Sequence, residues 1–215
     1  MDKIFHIIKK NDATNLHITD ETFVNNTLDY HVELEENAVC VITVALINIS
    51  SVVCNIYVHL KGDQSQAIIK GLYALDGLQQ VKINTYQYHQ GKDSKSELII
   101  KGMLKDKAHA NYQGMIKIDL GATGTDASQT NKNIVLSSDA KVVSVPSIEV
   151  LQHDVQCCHG SAIGKFDTQE LWYLQSKGLQ PKRAQELLVR SFFQDVLNEQ
   201  VNQEAVLDML CQKMV

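Results

Sequence analysis

An alternation of apolar and polar residues runs through Val81-Lys82-Ile83-Asn84-Thr85-Tyr86. Because successive side chains of a strand point to opposite faces, a period of two that is rich in Val, Ile and Tyr predicts a β-strand. Similar short segments recur from about residue 18 to residue 155. Turn-forming residues such as Lys61-Gly62-Asp63 and Asp76-Gly77 separate them. This part of the chain is therefore predicted to be mainly β.

The lack of helical patterns between these segments excludes a doubly wound α/β sheet. Two architectures remain: a sandwich or barrel, and a stack of parallel coils. Two-residue Asp-Gly or Asn-Gly loops, which are typical of hairpins, are nearly absent, and this favours coils. Glycine also recurs in Lys70-Gly71-Leu72, Lys101-Gly102-Met103 and Gln113-Gly114-Met115, where we expect it to turn the chain around a corner of a coil. The pattern alone leaves both architectures open.

The period changes to a helical one after Gly164. The segment Asp167-Thr168-Gln169-Glu170 has the form of a capping box, and Gly178 is a helix stop. Pro181 suits the first position of a second helix, and Asn202 can start a third. The sequence thus predicts a small helical region at the end of the chain.

We place a β core at residues 1–165 and the helical region at residues 166–215. The second helix is expected to bury one apolar face, formed by Ala184, Leu187, Leu188, Phe192 and Val196. A region of this size cannot hold a core alone, so it must pack on the strands or on a partner.

Composition limits the function classes. The chain has 215 residues, 21% charged residues and a net charge of −5, without the clustered Lys and Arg that nucleic-acid binding needs. The longest apolar run, residues 38–49, is too short to cross a bilayer, and the N-terminal residues do not resemble a signal peptide. We therefore expect a cytoplasmic protein with neither nucleic acid nor membrane as a partner.

The five cysteines are an odd number and do not form a disulfide framework. Cys40, Cys54 and Cys211 lie in apolar patterns and are expected to be buried. His89 and His109 are isolated in the sequence and are expected at turns or on the surface. No phosphate-binding loop, nucleophile elbow, His-Glu-x-x-His or acid–base carboxylate pair is present, so we do not expect an enzyme.

The segment Val155-Gln156-Cys157-Cys158-His159-Gly160 lies at the junction between strands and helices. On a strand, Cys157 and His159 share one face, and Cys158 points to the other. One thiol and one imidazole form half of a tetrahedral metal site, which needs two further ligands. Either a second subunit completes the site, or there is no site and the pair is a buried Cys beside a hydrogen-bonded His.

A larger set of segments resembles the SufB/SufD family of iron–sulfur cluster assembly scaffolds, and its SufD branch in particular. The similarity covers roughly half of the chain in one collinear order. The matching parts are His89, Ser94, Ser96 and residues 100–104, 110–114, 121–122, 125–127, 129–137, 146–150, 154–164, 167–170 and 172–179.

The resemblance implies a right-handed parallel β-helix followed by a helical C-terminal region. It implies pairing with a SufB-like subunit or with a second copy through the β-helix, and docking of a SufC-like ATPase on the C-terminal helices. It also implies a transient iron–sulfur cluster at the paired interface, with no tightly bound cofactor. The cluster-forming residues of the family map onto His159 and Cys157, so the partner would supply the remaining ligands.

Two features depart from the family. Family members of the SufD branch are longer, and we expect this chain to be a short form without their N-terminal helical region. Cys158 replaces a small polar residue and either adds a thiol as a further metal ligand or fills the core. The main hypothesis is a non-catalytic scaffold; the alternatives are an ATPase-docking module without cluster chemistry and a stand-alone metal or thiol enzyme.

Overall fold

The structure, a computed structural model, describes residues 2–197 and 202–215. Residue 1 and residues 198–201, which belong to the predicted regions 1–165 and 166–215, lie outside the described residues. The described strands are β1 (Asp2–Ile8), β2 (Ala13–Thr19), β3 (Thr27–Leu34), β4 (Val39–Leu46), β5 (Ser51–Leu60), β6 (Gln66–Leu75), β7 (Gln80–His89), β8 (Lys95–Leu104), β9 (His109–Ile118), β10 (Thr125–Val135), β11 (Lys141–Val150) and β12 (Val155–Gly164).

The strands form two six-stranded parallel sheets. The odd-numbered strands make one sheet in the order β1-β3-β5-β7-β9-β11, here called the odd sheet, and the even-numbered strands make the other in the order β2-β4-β6-β8-β10-β12, the even sheet. Each coil contributes one strand to each sheet, so the chain is a parallel β-helix of about six coils. The prediction of parallel coils is confirmed, and the sandwich or barrel is excluded.

The core lies between the two sheets, on the faces that alternate side chains of each strand share. Strand β5 shows the pattern most clearly, since Cys54, Ile56, Val58 and Leu60 have no exposed surface while the residues between them are partly exposed. Cys40 is fully buried in the same cluster, so the packing role predicted for Cys40 and Cys54 is confirmed.

One corner of the coils repeats the same backbone conformation. Asn11, Asn37, Gln64, Asp93 and Gly124 follow one another there, and all have positive φ angles of 54° to 72°. Each donates its backbone N–H to a carbonyl oxygen of the next coil at 2.7–3.0 Å. Asn, Asp and Gly tolerate the left-handed region best, which explains most residue types at this corner.

The corner role predicted for the three recurrent glycines is wrong. Gly71, Gly102 and Gly114 lie inside β6, β8 and β9, not at corners. A Cβ on Gly102 would lie 2.3 Å from ring atoms of Tyr73 and 2.4 Å from Oδ1 of Asn133. Gly102 is therefore required where the ring of Tyr73 crosses the backbone.

The helices are α1 (Thr168–Ser176), α2 (Pro181–Phe193) and α3 (Gln203–Met214). Short 3-10 helices cover Asp20–Thr22 and Gln194–Val196. The Asp167 side chain caps α1 by accepting the backbone N–H of Gln169 at 2.7 Å. Gly178, with a φ of +93°, follows the end of α1, and the Asn202 side chain caps α3. The observed helix limits agree with those predicted from Asp167, Gly178, Pro181 and Asn202.

The helical region packs on the outer face of the even sheet. Leu72, Ala74 and Met103 on that face form one apolar cluster with Val189 and Phe193 of α2 and with residues of α3, including the buried Cys211. The packing role predicted for Cys211 is therefore confirmed.

A nearly buried lysine fixes the helices to the coils. Lys101 Nζ lies 2.7 Å from the backbone oxygen of Phe192 and 2.7 Å from a carboxylate oxygen of Asp195. Its side chain is only 8% exposed, so the charge depends on these two partners.

The predicted apolar face of α2 is partly wrong. The helix buries Ala184, Val189 and Phe193, whereas Leu187 is 45% exposed and Leu188 is half-buried. The helix carries apolar residues on two sides, and packing on the even sheet selects the side that includes Val189. Among the described helices, none is long and apolar enough to cross a membrane.

We predict that Gly102→Ala destabilises the protein by about 1–3 kcal/mol, because the new methyl group overpacks the contact between Gly102 and Tyr73. Gly164→Ala is the matched control, since a Cβ there meets no atom within 4 Å. Urea unfolding of both variants measures the difference. Equal stability of the two variants would show that the Tyr73 ring relaxes freely.

Candidate functional site

The last coil is the open end of the β-helix. Strand β11 ends the odd sheet and β12 ends the even sheet. The hydroxyl of Ser161 in β12 donates to the hydroxyl of Ser144 in β11 at 2.9 Å, so these two side chains meet between the sheets. Yet Ile163, which follows Ser161 on the same face, is 51% exposed. The inward face of β12 is therefore accessible to solvent.

Cys157 and His159 lie on this inward face. In the register of β12, Cys157 stands beside the buried Ala127, and His159 stands beside the buried Gln129. Cys157 is half-buried and packs against the small apolar cluster that includes Ile116. His159 is exposed. The Cys157 side chain is thus held by contacts with the core, whereas the His159 imidazole is accessible to another molecule.

Cys158 takes the opposite, outer face, so the alternative that it fills the core is wrong. It pairs with Ser128 of β10 and is exposed. The alternation along β12 thus separates Cys158 from the other two residues.

These residues do not complete a metal site within one chain. Over residues 2–197 and 202–215, no group of three or more His, Cys, Asp or Glu side chains could hold a metal ion. Burial raises the pKa of the Cys157 thiol, and the neighbouring Cys158 adds to this effect. A raised pKa disfavours the thiolate, which is the form that binds metal. Cys157 and His159 therefore do not form a metal site with other described residues of the chain.

His89 lies at a turn, as one of its two predicted positions required, but it is buried. The residue is fully buried, and its two ring nitrogens lie 2.8 Å from the hydroxyl oxygens of Ser94 and Ser96. Burial lowers the pKa of His89 to about 4, so the ring is neutral at physiological pH. Of the two roles expected for His89, the surface position is wrong and the position at a turn is confirmed, since His89 ends β7; His109 at the start of β9 is exposed as expected. His89 joins β7 to β8 across a corner.

A second accessible feature is the groove between α1 and α2, with a volume of about 460 Å³. The sequence reading missed it. The sequence did contain a sign of this groove, because α2 has more apolar residues than one buried face needs. Residues that line the groove are Asp167, Gln169, Glu170, Tyr173, Leu174, Leu187, Leu188 and Ser191.

The fold and these features define a class: a parallel β-helix with an open last coil and a helical region attached to one outer face. A family profile described as "SUF system FeS cluster assembly, SufBD core domain" matches residues 3–192. The chain belongs to this SufBD core domain family.

Individual relatives agree with this membership. An iron–sulfur cluster assembly SufBD family protein of Mycobacterium leprae is 34% identical over 150 residues, which are 66% of this chain and 38% of the relative. The iron–sulfur cluster assembly protein SufD of Bacillus subtilis is 30% identical over 66% of this chain and 32% of its own length. The SufD protein of Escherichia coli is 28% identical over 64% of this chain and 33% of its own length. The matched part is thus about a third of each relative.

We predict that His89 makes the protein less stable in acid. Its folded pKa of about 4 lies below the unfolded value of about 6.5, so the unfolded state binds the proton first. The contribution of His89 is complete above pH 6.5 and is lost as the pH falls towards 4, by about 3 kcal/mol in total.

The matched variant is His89→Gln, which keeps hydrogen-bonding groups for Ser94 and Ser96 but does not titrate. Chemical denaturation at pH 7 and pH 4.5 should show a smaller acid loss for His89→Gln than for the wild type. An identical loss in both proteins would contradict the prediction.

Proposed function

We propose that this chain is a non-catalytic scaffold component of SUF iron–sulfur cluster assembly. The observation that carries the proposal is the accessible, incomplete pair of Cys157 and His159 on the inward face of the last coil. Family membership adds independent support, because relatives that are similar in sequence are named as iron–sulfur cluster assembly proteins. The cluster is the cargo of this scaffold, with no resident cofactor.

The ligand chemistry fits such a cargo. A thiolate and a neutral imidazole suit iron or zinc better than calcium or magnesium. His159 binds through a neutral ring nitrogen, and Cys157 must lose its proton. Because burial opposes that loss, the positive charge of incoming iron has to displace the proton. In this proposal Cys157 is a ligand only when iron is present, and Cys158 on the outer face is a further thiol that a partner can reach.

A like β-helix subunit is the proposed source of the missing ligands. Strands β11 and β12 each end a sheet, so one edge of each offers backbone groups for a further strand. Val143 and Val145 of β11 are about half exposed, and Leu151 just after β11 is 51% exposed. A partner strand added at these edges would cover this apolar surface. The partner is a SufB-like subunit or a second copy of this chain.

The groove between α1 and α2 is the proposed docking site for a SufC-like ATPase. Tyr173 is 56% exposed and Leu187 is 45% exposed, although both are large apolar side chains. Together with Leu174 and Leu188 they form an apolar floor, and Asp167 and Glu170 lie at one side. An apolar centre with a polar edge is the usual anatomy of a protein interface. A cytoplasmic location fits this assembly and stays a prediction.

A second candidate is an ATPase-docking module without cluster chemistry. The raised pKa of Cys157 and its contact with the core favour this reading, because both make the thiol a poorer ligand. In that case the groove would bind the ATPase, and the last coil would serve only for pairing with another subunit.

We predict that His159→Ala abolishes cluster formation in an anaerobic reconstitution with the ATPase and the paired subunit. The protein should stay folded, since the side chain is exposed. Absorption spectra and bound iron per complex measure the result. His109→Ala, at another exposed strand histidine, is the control. Unchanged cluster yield in His159→Ala would reject the scaffold role and leave the docking module.

We predict that Leu187→Asp weakens ATPase binding by at least about 10-fold, because it places a charge in the apolar floor of the groove. Calorimetric titration of the full chain with the ATPase measures the affinity. Leu78→Asp is the control, as Leu78 is 76% exposed in the turn between β6 and β7. If both variants bind like the wild type, the ATPase docks elsewhere.

A further inference from the structure

Polar side chains replace apolar ones at four interior positions of β7 and β10. In the odd sheet, Ile56 and Val58 of β5 stand beside Thr85 and Gln87 of β7. In the even sheet, Leu98 and Ile100 of β8 stand beside Gln129 and Asn131 of β10. The four polar residues are at most 1% exposed. At these inward positions, an apolar side chain of one coil is thus followed by a hydrogen-bonding side chain in the next coil.

Most of these polar groups have partners inside the protein. The hydroxyl of Thr85 lies 3.0 Å from the hydroxyl of Tyr112, and Asn131 Nδ2 donates to the backbone oxygen of Ile100 at 3.2 Å. Asn133 Nδ2 donates to Asn131 Oδ1 at 2.7 Å, and Tyr73 donates to Asn133. These bonds form two separate groups, one at Tyr112 and one at Asn131, and a buried polar atom left out of both is conspicuous.

Three atoms are left out. Both Nε2 and Oε1 of Gln87 lack a hydrogen-bond partner among the described residues, although Gln87 is fully buried. Gln129 Nε2 donates to the backbone oxygen of Ser147 at 3.2 Å, but Gln129 Oε1 has no partner there. Leaving a buried polar group unpaired costs about 1–3 kcal/mol per group, so native proteins satisfy such groups with ordered water.

Small residues stand next to these orphan atoms. Gly114 of β9 lies where a Cβ would be 2.5 Å from Gln129 Oε1 and 2.4 Å from the Tyr112 hydroxyl oxygen. Ala127 precedes Gln129 on the same inward face and belongs to one cluster with Ile116, the register partner of Gln87. Gly114 therefore gives Gln129 Oε1 and the Tyr112 hydroxyl the space that a side chain would take, and polar atoms from both sheets lie close together there.

We propose that the β-helix binds ordered water between its sheets at β7–β10. One site takes both a donor and an acceptor contact from the Gln87 amide, and a second lies at Gln129 Oε1 within reach of the Tyr112 hydroxyl. This water is a structural ligand of the interior beneath the last coil. The inference stands on the buried amides alone and does not depend on the proposed function.

Water–protein cross-relaxation in the isotopically labelled full chain tests the proposal. In a rotating-frame experiment, the side-chain NH₂ of Gln87 should show a direct cross peak with water, of opposite sign to a peak from proton exchange. Gln87→Met identifies the signal by its loss. Leu98→Met, a volume-conserving change on the facing sheet, should keep it. No direct peak at Gln87 in the folded wild type would overturn the proposal.

A crystal structure that resolves ordered solvent is the second measurement, and it needs no variant. Density at about 2.7–3.2 Å from Gln87 Nε2 and Oε1 would support the proposal. A Gln87 amide bonded to protein atoms, or surrounded by an empty cavity, would reject it.

Discussion

The in-register hydrogen bonding between successive coils is the constraint on which the whole structure depends. Each strand pairs in parallel with the strand one coil away, so a residue always stands beside its counterpart in the next coil. A column of like residues follows from this register. The rings of Phe5, His31, Tyr57 and Tyr86 stack in this way at 4.5–4.7 Å on the outer face of the odd sheet. The side-chain amides of Asn55 and Asn84 continue a second column from Asp29.

The two outer faces of the β-helix have different roles. The even sheet is covered by α2 and α3, whereas the odd sheet carries no helix in the described part of the chain. The even sheet, which ends in β12, is therefore also the sheet that carries the helical region.

The sequence predicts the parts of this fold that depend on local periodicity. Alternation such as that in residues 81–86 indicates strands, and Asp167, Gly178, Pro181 and Asn202 mark helix limits, because capping depends on neighbouring backbone groups. The prediction of parallel coils depended on the family resemblance, because the alternation of apolar and polar residues alone also allowed a sandwich. The relation of Cys157, Cys158 and His159 along β12 follows from strand geometry, but their exposure depends on where the coils end.

The errors concern contacts between distant parts of the chain. Gly102 is needed because Tyr73 of the previous coil crosses it, and no local pattern reveals that crossing. His89 is an exception, because the alternation along β7 already places it on the inward face, where the nearby Ser94 and Ser96 bond its ring. The buried side of α2 is chosen by the even sheet and not by the helix itself.

The contact of Lys101 with Phe192 and Asp195 has a mechanical consequence. It joins the end of α2 to β8, and β8 is separated from β12 by β10 alone. Parallel strands in register resist sliding, because a shift would break a whole row of hydrogen bonds at once. A force applied at the helices therefore reaches the strand of His159 through two stiff connections.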